Sequence, residues 1–268
     1  MNDEILEELL RARRKRLPCV LATIASTSGS VPRAAGSKML VYADGRISGT
    51  IGGGKFEALV VADSLAALRE KKPALKTYPL HEAAPDSFGA ICGGECTVLM
   101  EPQVPTPAIF LVGGGHCAHA IARLALDCGM HVTVVDDREE VLSDLPDNVQ
   151  RVSDVSAPEF IRGRAWAEDE ALLLVSRNHQ CDREALAAAL RTDGIRYIGM
   201  IGSRRKVRLV FDALAADGIP KERLARVYAP IGLDIGADSP AEIAVSAIAE
   251  ILKLQRGGSG EHLRSLKA

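Results

Sequence analysis

Residues 109–118, Ile-Phe-Leu-Val-Gly-Gly-Gly-His-Cys-Ala, decide the fold of this chain. An uninterrupted apolar run passes into three glycines, and the segment behind them, His116 to Cys128, carries apolar residues at helical spacing. A strand buried on both faces, a tight turn and a helix open a βαβ unit, and G-x-G-x-x-A at 113–118 has the spacing at which such turns approach a phosphate. Gly113, Gly114 and Gly115 let backbone come close to a ligand, and His116 starts a helix whose free N–H groups and dipole favour negative charge. Asp136 ends the next apolar run about twenty residues on, where a carboxylate can bond both ribose hydroxyls of a nucleotide. Arg138 could instead meet a 2′-phosphate, so NAD and NADP both stay open. A ligand-free turn with a helix-capping aspartate is the plainer alternative.

Downstream the same alternation continues through Ala171–Ser176, Asp182–Leu190, Tyr197–Ile201 and Ser203–Ala216, and buried strands alternating with helices imply a doubly wound parallel sheet. Gly202-Ser-Arg-Arg-Lys206 again follows a strand and opens a helix, with Ser203 as N-cap and Arg204 and Arg205 beside it. Both turns fall at the carboxyl edge of the expected sheet, where open α/β sheets bind ligands, so they could face one crevice. A solvated basic first turn is the alternative. The last helix, Pro240 to Leu254, starts behind Ser239, and Gly-Gly-Ser-Gly at 257–260 begins a flexible tail, 257–268.

Upstream, Pro102, Pro105 and Pro107 read as an extended linker, which divides an N-terminal domain, 1–103, from a Rossmann-like domain, 104–256. The smaller domain reads as α+β: a helix over Glu4–Arg16, a strand over Cys19–Ala25, a hairpin of Lys38–Tyr42 and Arg46–Thr50 around Ala-Asp-Gly, and a helix over Lys55–Arg69.

Composition narrows the function. With 33 Lys and Arg against 35 Asp and Glu in 268 residues, no field exists for nucleic acid, and 4% aromatic content supplies no base-stacking platform. No apolar run reaches the ~18 residues of a membrane span, and the acidic N-terminus does not suit a secretory signal, so the expected location is cytoplasmic. Six scattered cysteines are too sparse for a disulfide framework.

Two further glycine-rich clusters lie in the smaller domain: Ser28 to Lys38, with Ser30, Arg33 and Lys38, and Gly49 to Gly54, with Gly52, Gly53, Gly54 and Glu57 one turn into the helix. Hydroxyls, cations and exposed N–H groups would suit a phosphate or a polar heterocycle, although Ser and Gly also fill ordinary loops. Cys92-Gly-Gly-Glu-Cys96 lacks the second pair of a structural zinc site. Cys92, beside two glycines in an expected loop, is the thiol that can stay exposed and reactive, whereas Cys96 begins a strand and should face a core.

Taken in order, S-G-S-V-P-R-A-A-G-S-K-M at 28–39, G-T-I-G-G-G at 49–54, C-G-G at 92–94, V-G-G-G-H at 112–116, V-D-D-R at 135–138, G-M-I-G-S-R-R-K at 199–206 and P-I-G-L-D-I-G-A-D-S-P-A-E-I-A at 230–244 resemble the xanthine dehydrogenase accessory protein family of the XdhC/CoxI type. The resemblance covers nearly the whole chain; Cys96 and Cys117 depart from its aliphatic positions without touching a motif residue. It implies a maturation factor rather than an enzyme: a protein that binds molybdenum cofactor, as molybdopterin or its dinucleotide form, protects it during sulfuration and delivers it to an apo molybdenum hydroxylase of the xanthine dehydrogenase type. A cysteine desulfurase and a second copy of the chain, as a homodimer, are the other implied partners. Cys92 would then be the functional thiol, as metal ligand or in the sulfur chemistry, since a soft ligand suits molybdenum. An NAD(P)-dependent oxidoreductase using the Rossmann-like half is the competing reading, and it lacks a visible proton donor.

Overall fold

A computed structural model describes residues 2–80 and 93–265 of the chain. Two compact units divide it, Met1–Pro105 and Thr106–Ala268.

The first unit runs α1 (Asn2–Arg14), β1 (Cys19–Ser28), β2 (Lys38–Tyr42), β3 (Ile47–Gly49), α2 (Gly54–Glu70), β4 (Ala74–Pro79) and β5 (Glu95–Gln103). Its antiparallel strands lie in the order β3-β2-β1-β5-β4. Alternation along β1 and β2 decides which helix covers which face. Val20, Ala22, Met39 and Val41 pack with Phe56 and Val60 of α2, while Cys19, Leu21, Leu40 and Tyr42 pack with Ile5 and Ala12 of α1. The expected hairpin forms, with Gly45 at φ +83°. Strand β4 has three exposed residues in its middle and no alternation to announce it. Strand β5 runs through Pro102, which pairs with Val20; β4 has already ended opposite Met100, so the proline has a neighbour strand on one side only.

The second unit comprises β6 (Ala108–Val112), α3 (His116–Asp127), β7 (His131–Val135), β8 (Gln150–Val152), α4 (Ala157–Arg162), β9 (Glu170–Leu174), α5 (His179–Arg191), β10 (Tyr197–Met200), α6 (Arg204–Ala216), α7 (Lys221–Leu224), β11 (Val227–Tyr228) and α8 (Pro240–Arg256). All its strands are parallel, in the order β11-β10-β9-β6-β7-β8. Counted from β6 this is the doubly wound order 3-2-1-4-5-6, whose direction reverses between β6 and β9. Every residue of β6 and β9 is buried. Ile109 and Leu111 face α3 and α8, and Phe110 and Val112 face α5 and α6. At one edge of this core the Tyr197 hydroxyl donates to Glu250 of α8 at 2.5 Å, and the amide of Gly232 donates to the same oxygen at 3.2 Å.

Candidate functional site

The reversal of strand order leaves a cleft above the carboxyl ends of β6, β7 and β9. Val112 and Gly113, Asp136 and Asp137, Ser176 and Arg177 line it from the strand ends, with Ser156, Cys181 and Glu184 from the starts of α4 and α5. It encloses about 560 Å³ of empty space, part of it open to solvent.

The three glycines have different tasks. Gly113 sits at φ +109°, and a Cβ there would lie 2.6 Å from the Cα of Ser176 and from the carbonyl of Val175, so the end of β9 closes directly onto the turn. Gly114 packs under Val141, whose Cγ2 would be 2.9 Å from an added Cβ. Gly115 caps α3 with nothing within 4 Å of its Cβ position and no side-chain cap. By contrast Ser156, Asn178 and Ser203 cap α4, α5 and α6 with their own oxygens. His116 is exposed at the first turn of α3.

Asp136 is 8% exposed and its acceptor positions are filled from within. Oδ2 accepts from the Gly114 amide at 2.8 Å and Arg138 Nη2 at 2.8 Å; Oδ1 accepts from the Arg138 amide at 3.0 Å and Arg138 Nε at 2.9 Å. Burial alone would raise its pKa, but the Arg138 guanidinium and the two amides outweigh burial and hold it below the usual carboxylate range. The aspartate expected to meet a ribose thus fixes the glycine turn to the end of β7, and any ribose reaching it must displace Arg138.

Ser203, Arg204 and Arg205 do not line this cleft. The switch point lies between β6 and β9, and β10 carries their turn one strand further away. Ser203 accepts from the Lys206 amide at 3.2 Å, and Lys206 Nζ donates to Asp182, a fully buried carboxylate that also accepts from the amide and hydroxyl of Ser176 at 3.2 and 2.6 Å. Arg204 and Arg205 are exposed and take no hydrogen bond or ion pair among the described residues.

In the first unit three of the motif loops meet at one end of the sheet. A Cβ on Gly52, at φ +143°, would lie 2.6 Å from Pro32, and one on Gly94 would lie 2.4 Å from the carbonyls of Ser28 and Ser30. Arg33 is half-buried in that cluster, and Lys38 Nζ donates to Thr23 at 3.1 Å. The loop over Gly52, Gly53 and Gly54 already holds an anion, the carboxylate of Glu57. One Glu57 oxygen accepts from the amides of Ile51 and Gly53 at 3.2 Å each and from the Thr50 hydroxyl. Cys92 lies outside the described residues. Cys96 is fully buried, as its alternation implied. No group of three or more His, Cys, Asp or Glu among the described residues converges to hold a metal ion.

Ser156, Ser176, Arg177 and Asp182 lie outside the motifs, and Asp137 was present in V-D-D-R without a role. Ser156-x-x-Glu159 with Pro158 was a legible capping box; nothing in the sequence distinguished Arg177 from other surface arginines.

A family model described as the XdhC Rossmann domain matches residues 109–251, and one described as the XdhC and CoxI family matches residues 12–79. The chain is 36% identical over 259 residues to the uncharacterized protein YqeB of Escherichia coli K12, covering 96% of this chain and 47% of that one. It is 28% identical over 153 residues to a Bacillus subtilis protein described as a probable subunit of xanthine dehydrogenase, covering 57% of this chain and 44% of that one. The chain therefore spans about half the length of the curated relatives it matches. A crystal structure described as a xanthine dehydrogenase from Bacillus halodurans shares the fold, with a TM-score of 0.51, 22% identity and 97% of each chain covered.

Proposed function

The chain belongs to the XdhC and CoxI family, and from that premise we propose that it is an accessory protein for a molybdenum hydroxylase of the xanthine dehydrogenase type. Its cargo is the molybdenum cofactor, as molybdopterin or its dinucleotide form, held while sulfur from a cysteine desulfurase is installed and then passed to the apo-enzyme. The observation that carries this reading is the open glycine turn at the switch point. Alone among α3, α4, α5 and α6, α3 begins without a side-chain cap, and Gly115 leaves free space beside it. A phosphate or diphosphate fits there, because no side chain among the described residues caps the first-turn N–H groups and the helix dipole favours an anion.

The cleft next to that turn would take the nucleotide of a dinucleotide cofactor. Cys92 is assigned the thiol that meets the metal or its sulfur. The names of the two Bacillus relatives support the partner assignment. Reconstitution tests the reading: apo-hydroxylase supplied with cofactor through this chain should gain specific activity that free cofactor does not give. Equal activation with and without the chain would refute the accessory role.

A further inference from the structure

The cleft of the second unit is crossed by an ion pair that joins Asp137 of V-D-D-R to Arg177, a residue outside every motif. Asp137 follows β7 and Arg177 follows β9, and these strands flank β6, so their bidentate pair, Nη1 to Oδ1 at 3.0 Å and Nη2 to Oδ2 at 3.1 Å, spans the end of β6. Arg177 is the one basic residue among those lining the cleft, where the acids are Asp136, Asp137 and Glu184. We propose that Arg177 is the residue with which this cleft recognises a phosphate-bearing nucleotide, exchanging Asp137 for the ligand's phosphate. The inference rests on the reading of the cleft as a nucleotide site.

Three features fit Arg177 to this task. Its partner is expendable: the Asp137 side chain is 65% exposed, so releasing it leaves a carboxylate in water, whereas parting Arg138 from the buried side chain of Asp136 would strand a buried charge. The backbone beneath Arg177 is fixed. Ser176 is held through its amide and hydroxyl by the buried Asp182, and its Cα rests against Gly113 at a distance no side chain would allow. A rigid base with an exchangeable counter-ion lets the guanidinium swing without disturbing the strand ends. Finally, a guanidinium grips phosphate through paired donors, which a solvated aspartate leaves free to compete for. The cleft should accordingly discriminate a nucleotide from its uncharged nucleoside.

The test uses the full chain, its Arg177→Ala variant and its Asp137→Asn variant, each titrated calorimetrically with ADP, adenosine and inorganic pyrophosphate. Alkylation of Cys181, which lines the cleft, reports by peptide mass spectrometry whether the ligand sits there. Arg177→Ala should weaken ADP about tenfold or more while changing adenosine little, and Asp137→Asn should tighten ADP by removing the competitor. A purely structural pair would instead weaken both variants alike and lower both melting temperatures. If ADP binds and protects Cys181 but Arg177→Ala binds it equally, the role of Arg177 is overturned and the nucleotide reading stands. If ADP neither binds nor protects Cys181, while pyrophosphate binds alone or not at all, the nucleotide reading fails and this inference with it.

Discussion

Asp136 directs its charge inward, to the glycine turn and to Arg138, and that arrangement has a pH signature. Its pKa in the folded chain lies below the ordinary value, so its contribution to stability is fully present above the unfolded pKa of about 3.9 and is lost as pH falls through the folded value. Arg138→Ala should cost about 1–3 kcal/mol at neutral pH, since it leaves a buried carboxylate short of its charged partner. Urea titrations across pH should show the gap between wild type and variant closing below about pH 4; a gap that persists unchanged into stronger acid would contradict the assignment. The thiols divide by environment. Burial pushes the Cys19 thiol up to about 11 against the pull of Arg13, and burial also raises Cys96, so both should resist alkylation in the folded chain. Cys92, proposed as the functional thiol, is tested on its own: Cys92→Ser should keep the melting temperature while losing delivery of active cofactor, and full activation of the partner by this variant would remove the cysteine from the mechanism.

Among the elements, the turn between β6 and α3 separates structural from ligand-facing glycines. Gly113→Ala must place a Cβ 2.6 Å from backbone atoms at a positive φ, and should cost about 2–4 kcal/mol in chemical denaturation. Gly115→Ala meets nothing within 4 Å and has φ −78°, so its stability should match wild type while phosphate-bearing ligands bind more weakly. Loss of stability without loss of binding in Gly115→Ala would place the ligand elsewhere. The long elements of the second unit were legible because their apolar residues repeat at strand or helix period: β6, α3, β7, α5, β10 and α6 lie within a few residues of the expected ranges. Three-residue β8, six-residue α4 and two-residue β11 are too short to show a period, and they are set by the sheet they join. Glu57 was legible as a residue next to a glycine loop but not as the anion inside it, because which carboxylate fills a nest depends on where the helix start is aimed. The pairing of Arg177 with Asp137 was hidden for a related reason: 40 residues apart in sequence, they meet only because the strand order reverses.

At the scale of the whole molecule, the sequence motifs gather at two separate places, one in each unit. Three loops join at one end of the antiparallel sheet of the first unit, and the glycine turn opens beside the cleft of the second. The two places differ in what they leave free. In the first, Glu57 already occupies the amides of the 49–54 loop, so Ser30, Arg33 and Lys38 remain as its ligand-facing candidates. In the second, the α3 amides stand uncapped at a switch point, where doubly wound sheets bind nucleotides. The most direct measurement is the content of the chain purified gently after co-expression with cofactor synthesis, by elemental analysis for molybdenum and by fluorescence of the oxidised pterin. The account predicts molybdenum and pterin together at close to one equivalent per chain; protein carrying neither above the level of an unrelated control purified in parallel would contradict it.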